Sequence, residues 1–136
     1  MVDQNCAYCM EGELVAKFGI KICELETSKV YLFKEQSHPG RCIVAHKKHV
    51  GDMNELTAEE RAAYFEDVAR AIMKAFNPDK VNYGAYGDTG HHLHFHLCPK
   101  YKDEYEWGGV FLMNPDKKYL TDAEYTEMIE KIKANL

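Results

Sequence analysis

The chain has no apolar run approaching the roughly 20 residues that a membrane-spanning helix requires. Its opening stretch, "MVDQNCAYCMEG", lacks both the basic and the apolar parts of a signal peptide. Together these absences lead to the expectation of a cytoplasmic protein with no membrane partner. Positive charge is not in excess either, since 17 Lys and Arg stand against 22 Asp and Glu for a formal net charge of -5. A surface that grips a nucleic-acid polymer neutralises phosphates with clustered cations. That partner is therefore not expected, and any phosphate handled here belongs to a small molecule. No repeat, linker or low-complexity tract divides the sequence, and 136 residues make a single domain, 1–136, able to bury a core without disulfides. Cysteine use agrees with this: five is an odd number, unsuited to a disulfide framework in a reducing compartment. Cys23, Cys42 and Cys98 read as buried thiols.

Short β-type runs at Ile20–Leu25, Ser28–Phe33, Arg41–His46, Lys80–Tyr86 and His91–Cys98, separated by turn-forming residues, predict five strands. Between the third and fourth, Ala62, Phe65, Val68, Ala69, Ile72, Met73 and Phe76 recur at helical steps and predict one buried face of a long helix. Thr57 with Glu60 forms a capping box at its start, and Asn77 and Pro78 supply its stop. A second box, Thr121 with Glu124, opens a C-terminal helix whose apolar stripe is Tyr125, Met128, Ile129 and Ile132. Strands grouped on either side of one long helix, without a βαβ rhythm, give an α+β class with a five-stranded, mainly antiparallel sheet.

The segment "GHHLHFHLCPKY" places four of the seven histidines within six positions. In a strand, successive side chains point to opposite faces, so His92, His94 and His96 share one face while Leu93, Phe95 and Leu97 take the other. His91 falls with the leucines and is left out of the chemistry. Pro99 limits how far the ladder continues. At the N-terminus, Cys6 and Cys9 have the spacing of a thiolate pair that suits tetrahedral Zn2+ but supplies only half of its ligands. On these residues alone, a zinc half-site and a frayed terminus with two free thiols both stay open.

The alternating His92-Leu93-His94-Phe95-His96-Leu97 resembles the signature of the histidine triad (HIT) superfamily. "PGRCIVAHKKH" and Asn82 upstream are similar to further parts of that pattern, and the likeness spans Cys6 to Tyr101. The resemblance implies a HIT fold, commonly a homodimer, and nucleotidyl hydrolase or transferase chemistry through a covalent nucleotidyl-histidine. The expected reaction cleaves a nucleoside 5'-monophosphate, AMP for preference, from a phosphoramidate or dinucleoside polyphosphate, with a purine nucleotide as substrate or product. A phosphorylase or transferase, or a zinc-stabilised nucleotide-binding module with little turnover, are the alternatives. Carried over residue by residue, His94 is the nucleophile, with its other nitrogen donating to the carbonyl of His92. His96 holds a nonbridging oxygen, and Thr89 bonds the phosphate or leaving group. Asn82, Arg41 and Glu35 are the substrate-binding candidates.

The same resemblance pairs Cys6 and Cys9 with His49 and His92 in a closed, structural zinc site, with no organic cofactor. This sequence also departs from the family pattern. Arg41 replaces the histidine of a usual Pro-Gly-His, and contact with phosphate or with solvent both stay open. His46 replaces a common proline and reads as a satisfied polar side chain near a strand end. Asp88 stands where glutamine is usual. Trp107 reads either as core or as a residue closing the pocket across a dimer.

Overall fold

The computed structural model describes residues 3–136, apart from the side chains of Ile72 and Met73. Two short helices, α1 (Ala7–Met10) and α2 (Gly12–Ala16), lead into strands β1 (Gly19–Glu24), β2 (Ser28–Phe33) and β3 (Cys42–His46). The long helix α3 (Ala58–Met73), strands β4 (Lys80–Gly84) and β5 (His94–Lys100), and helix α4 (Asp122–Asn135) complete the chain. The strands form one antiparallel sheet in the order β1-β2-β3-β5-β4.

The central strands carry continuous apolar runs, "VYLF" in β2 and "CIVA" in β3, because both faces of the sheet are covered there. On one face, Val30, Leu32, Cys42, Val44 and Leu97 pack with Tyr64, Val68, Ala71, Tyr125 and Ile132 from α3 and α4. On the other, Tyr31, Phe33, Ile43 and Ala45 pack with Tyr8 and Val15 of the N-terminal helices. The registers Ile43↔His96 and Ala45↔His94 put those two imidazoles on this second face.

Both capping boxes form. Thr57 Oγ1 accepts from the Glu60 amide at 3.1 Å while Glu60 returns a bond to the Thr57 amide, and Thr121 and Glu124 do the same at α4. The stripe of α4 packs as expected, with Tyr125 and Ile132 buried and Met128 and Ile129 half-buried.

The buried face of α3 is only in part the one its apolar residues predict: Val68 is buried and Phe76 packs against the core as expected. Tyr64, Asp67, Val68, Ala71 and Ala75 are buried, whereas Ala62, Phe65 and Ala69 are exposed, and the predicted contributions of Ile72 and Met73 lie outside the described side chains. Polar bonds set this rotation. Tyr64 donates its hydroxyl to the Val44 carbonyl at 2.6 Å, and Asp67 accepts from the amide and hydroxyl of Thr27 at 2.6 and 2.9 Å. A count of apolar residues alone does not register either anchor.

Strand β5 also differs from expectation at both ends. It starts at His94, three residues into the predicted run, and continues through Pro99 to Lys100. The β3 partner ends at Leu97, so Pro99 lies where β5 is hydrogen-bonded on the β4 side alone and the missing N–H is tolerated. Helices α1 and α2 were not anticipated by any periodicity in the sequence.

Candidate active site

On the second face, a cavity of about 570 Å³ opens over the histidines, a size that suits a small organic ligand. Its floor is His92, His94 and His96, one wall is Phe18, Phe33 and Ile43, and Thr89 and Gly90 stand at its rim.

His94 Nδ1 lies 2.7 Å from the carbonyl oxygen of His92. A carbonyl can only accept, so Nδ1 carries the proton and Nε2 keeps its lone pair. Burial lowers the pKa of His94, opposed only in part by that hydrogen bond, and the ring is therefore neutral near pH 7. It packs beside Tyr8 at 5.0 Å and His96 at 5.3 Å between ring centroids.

His96 is turned the other way. Its Nδ1 accepts from Arg41 Nη2 at 3.1 Å, which leaves Nε2 as the protonated nitrogen. Burial first, and then the positive charge of Arg41, push its pKa down to about 3.

His92 precedes β5 in irregular backbone, and this frees its ring from strand alternation. Its Nε2 donates to the His46 carbonyl at 2.6 Å, leaving Nδ1 as a lone-pair donor. That Nδ1 lies 3.0 Å from His49 Nδ1 and 3.3 and 3.6 Å from the sulfurs of Cys6 and Cys9. Cys9 Sγ lies 3.2 Å from His49 Nδ1, and all four ligand atoms fall within 4.8 Å of one another.

Ligand bonds of about 2.0–2.1 Å to nitrogen and 2.3 Å to sulfur imply tetrahedral edges of roughly 3.3–3.8 Å between such atoms. Cys6, Cys9, His49 and His92 are thus spaced for one ion, and they could hold a metal. Burial acts to keep the Cys6 thiol protonated, so a bound cation would be what favours its thiolate. The donor set is closed, with no position assigned to water, as in a structural site.

Three of the expected substrate contacts do not reach this cavity. Arg41 is fully buried between Phe33 and Phe111, with its guanidinium carbon 4.2 and 4.9 Å from their ring centroids. Besides His96 it serves the carbonyls of Leu112 and Met113, at 3.0 and 2.9 Å, and so it contacts neither solvent nor a ligand's phosphate directly.

Glu35 is buried too. Its carboxylate accepts from the Ser37 amide and hydroxyl and from the amides of Lys117 and Lys118, at 2.7–2.9 Å. Burial works to raise its pKa, but these bonds outweigh it and hold the group below the usual carboxylate range. The acid is engaged in fastening the segment that follows the sheet, which leaves no free oxygen for a ribose.

Asn82 pairs with Cys98 and opens on a separate recess beside Lys100 and Trp107. Phe111 packs against Gly84, with its ring 6.5 Å from that of His96. Thr89 does line the cavity, as an exposed residue. His91 is not on the leucine face: it is exposed at the cavity rim, because alternation begins only at His94. His46 is buried near the strand end but only half satisfied, with Nδ1 accepting from the Lys48 amide at 3.0 Å and Nε2 without a hydrogen-bond partner among the described residues. Trp107 is 40% exposed and lies away from the cavity.

Tyr8 was missed by sequence reasoning, although it sits between the two cysteines and packs on both His92 and His94. The apolar wall of Phe18, Phe33 and Ile43 was missed as well. For Phe33 and Ile43 the signal was present, since both alternate with core residues on strands buried on both faces.

An antiparallel sheet carrying a neutral, oriented imidazole at the floor of a nucleotide-sized cavity defines a class of α+β domain built around a histidine strand. The chain belongs to the HIT domain family, whose sequence profile matches residues 19–103. It is 27% identical over 138 residues to the adenosine 5'-monophosphoramidase of Schizosaccharomyces pombe, covering 95% of this chain and 99% of that protein. Among solved structures it resembles a histidine triad protein from Sinorhizobium meliloti, with a TM-score of 0.81 at 23% identity over 92% of this chain and 95% of that one. It also resembles a zinc-bound histidine triad family protein from Mycobacterium smegmatis, with a TM-score of 0.62 at 22% identity over 96% and 91% of the two chains.

Proposed function

We propose that this protein is a nucleotidyl hydrolase that releases a nucleoside 5'-monophosphate, preferably AMP, from a phosphoramidate or a dinucleoside polyphosphate. The observation that carries this reading is the bond from His94 Nδ1 to the His92 carbonyl, which leaves Nε2 unprotonated and facing the cavity. A neutral imidazole attacks without first losing a proton. Its Nε2 forms a bond to the α-phosphorus as the bond to the leaving group breaks, and the departing amine or phosphate takes the electron pair. The His92 carbonyl stabilises the cationic ring that results. His96 Nε2–H donates to a nonbridging oxygen, and Thr89 at the rim is placed to bond the phosphate or the leaving group. Water then attacks the phosphorus and frees His94 as it was.

The residues that could hold a metal share His92 with the triad, but neither His94 nor His96. Cys6, Cys9, His49 and His92 would hold zinc as a structural ion, and the zinc-bound relative is consistent with that choice of metal. The ion would fasten α1 to the residue whose carbonyl orients the nucleophile. Two cysteine ligands of this kind suit a reducing compartment, in keeping with a cytoplasmic protein. No helix among the described residues is long and apolar enough to cross a membrane.

A homodimer completes the proposal. β4 ends the sheet with one edge unpaired, and Tyr83 on it and Phe65 on α3 are exposed at 53% and 51%. Light scattering at micromolar concentration is expected to give twice the chain mass, and a monomeric mass would remove the dimer from the account. The activity itself is tested by turnover on a panel of nucleoside phosphoramidates and dinucleoside polyphosphates. Release of AMP is the expected product, and no release from any member of the panel would overturn the reading.

A further inference from the structure

Arg41 is a buried cation without an anion. Among the described residues no carboxylate comes within ion-pairing distance of it. Of the groups that act on it from further away, the Cys98 thiol is kept neutral by burial, which pushes its pKa up to about 12, and the two acids are already committed, Glu35 to four donors and Glu106 to His38 at 2.6 Å and the Leu112 amide. Burying a charge in this way is costly unless something offsets it. Two carbonyls and two aromatic faces do so in part. Met113 Sδ, at 3.5 Å, is a weak acceptor, and Arg41 Nε has no partner among the described residues. The one nitrogen acceptor is His96 Nδ1, at 3.1 Å, on a ring that lines the cavity.

We propose that Arg41 is a positioning residue that acts on the phosphoryl group through His96, fixing that ring as its Nε2–H tautomer and polarising the N–H toward a bound anionic oxygen. A guanidinium has five donors and no acceptor, so it can only face a lone pair. The contact therefore dictates which nitrogen of His96 carries the proton, and no proton has to move. A positive charge on one side of the ring strengthens the donor on the other, as successive hydrogen bonds polarise each other in a site of low dielectric. The absent counter-ion of Arg41 is then the substrate's own phosphoryl oxygen, felt across one imidazole. The same side chain holds the carbonyls of Leu112 and Met113, and Met113 and Asn114 form part of the cavity wall. One buried group thus sets the orientation of a cavity donor and anchors the segment beside it. This rests on the hydrolase reading for its consequence, though not for the tautomer.

The test is nitrogen-15 NMR of histidine-labelled, full-length protein without substrate, paired with kinetics. Wild type is expected to show His96 protonated at Nε2 alone. In Arg41→Met, whose unbranched side chain suits the slot between two phenyl rings, both tautomers should populate. kcat should then fall by roughly 10- to 100-fold, somewhat less than direct loss of an oxyanion donor causes. KM should change by less than about threefold, since the donor acts mainly on charge that grows in the transition state. Arg41→Lys keeps a cation, and it should recover the Nε2–H tautomer and part of the rate; it also serves if the Met variant does not fold. An Nδ1–H tautomer in wild type, or a tautomer and kcat indifferent to both substitutions, would overturn the proposal. A protein that turns over no nucleotide but locks His96 through Arg41 refutes the hydrolase reading and upholds the positioning.

Discussion

The two faces of the sheet are covered by different means. The face under α3 and α4 is an apolar core with a few polar pins, Tyr64 to the Val44 carbonyl and Asp67 to Thr27. The face under α1 and α2 has a smaller apolar cluster, and much of what is buried there is polar: His92, His96, Arg41 and Glu35 are each 5% exposed or less. Each of these is held by named hydrogen bonds. The difference teaches how one domain separates tasks. Apolar burial gives stability without regard to direction, whereas a reaction needs particular nitrogens aimed at particular places, which only hydrogen bonds to fixed partners provide.

The largest effect expected from breaking this arrangement is at the metal cluster. Cys9→Ala removes one of the four residues proposed to hold zinc and so to tie the N-terminus, the middle of the chain and the triad together. The variant should lose its zinc and roughly 3 kcal/mol or more of stability, lowering Tm by about 10 °C for a chain of this length. Metal analysis beside calorimetry checks this, and full zinc retention would remove the four-ligand assignment.

Acid should weaken the triad face next. His96 is held neutral to about 3, against an ordinary value near 6.5. Below pH 6.5 the unfolded chain takes up a proton there that the native protein does not. The stability from a neutral His96 is therefore full above pH 6.5 and declines as pH falls toward 3, by up to about 1.4 kcal/mol per pH unit. Urea midpoints at pH 7 and pH 5 should differ in wild type, and His96→Asn should reduce that difference.

On the core face, Tyr64→Phe leaves the Val44 carbonyl without its donor. This should cost about 1–2 kcal/mol while changing kcat by less than about twofold. A large loss of activity in this variant would mean that the two faces are not separable.

The core face was legible wherever apolar spacing alone decided the outcome, as in β2, β3 and the stripe of α4. It failed in part at α3, where Tyr64 and Asp67 turned the helix so that Phe65 faces out. On the triad face, it was the family resemblance that singled out His94 and joined Cys6 and Cys9 to His49 and His92; the structure puts His94 in the cavity and gathers the four candidate ligands within 4.8 Å of one another. The fates of Arg41, Glu35 and Asn82 were not legible. Each depends on the segment from Tyr101 to Lys118, whose backbone supplies carbonyls to Arg41 and amides to Glu35 and whose Trp107, Gly108 and Gly109 line the recess at Asn82. Backbone partners brought from so far along the chain leave no pattern in side-chain identity.

The central claim is that His94 Nε2 is the nucleophile, and the most direct measurement is to quench the wild-type protein during turnover and map the nucleotide by mass spectrometry. An acid-labile nucleotidyl group on His94 is the expected result. His94→Ala should give no adduct and lose turnover by at least about 10⁴-fold, with nucleotide binding retained. An adduct on any other residue, or turnover that survives in His94→Ala, would contradict the claim.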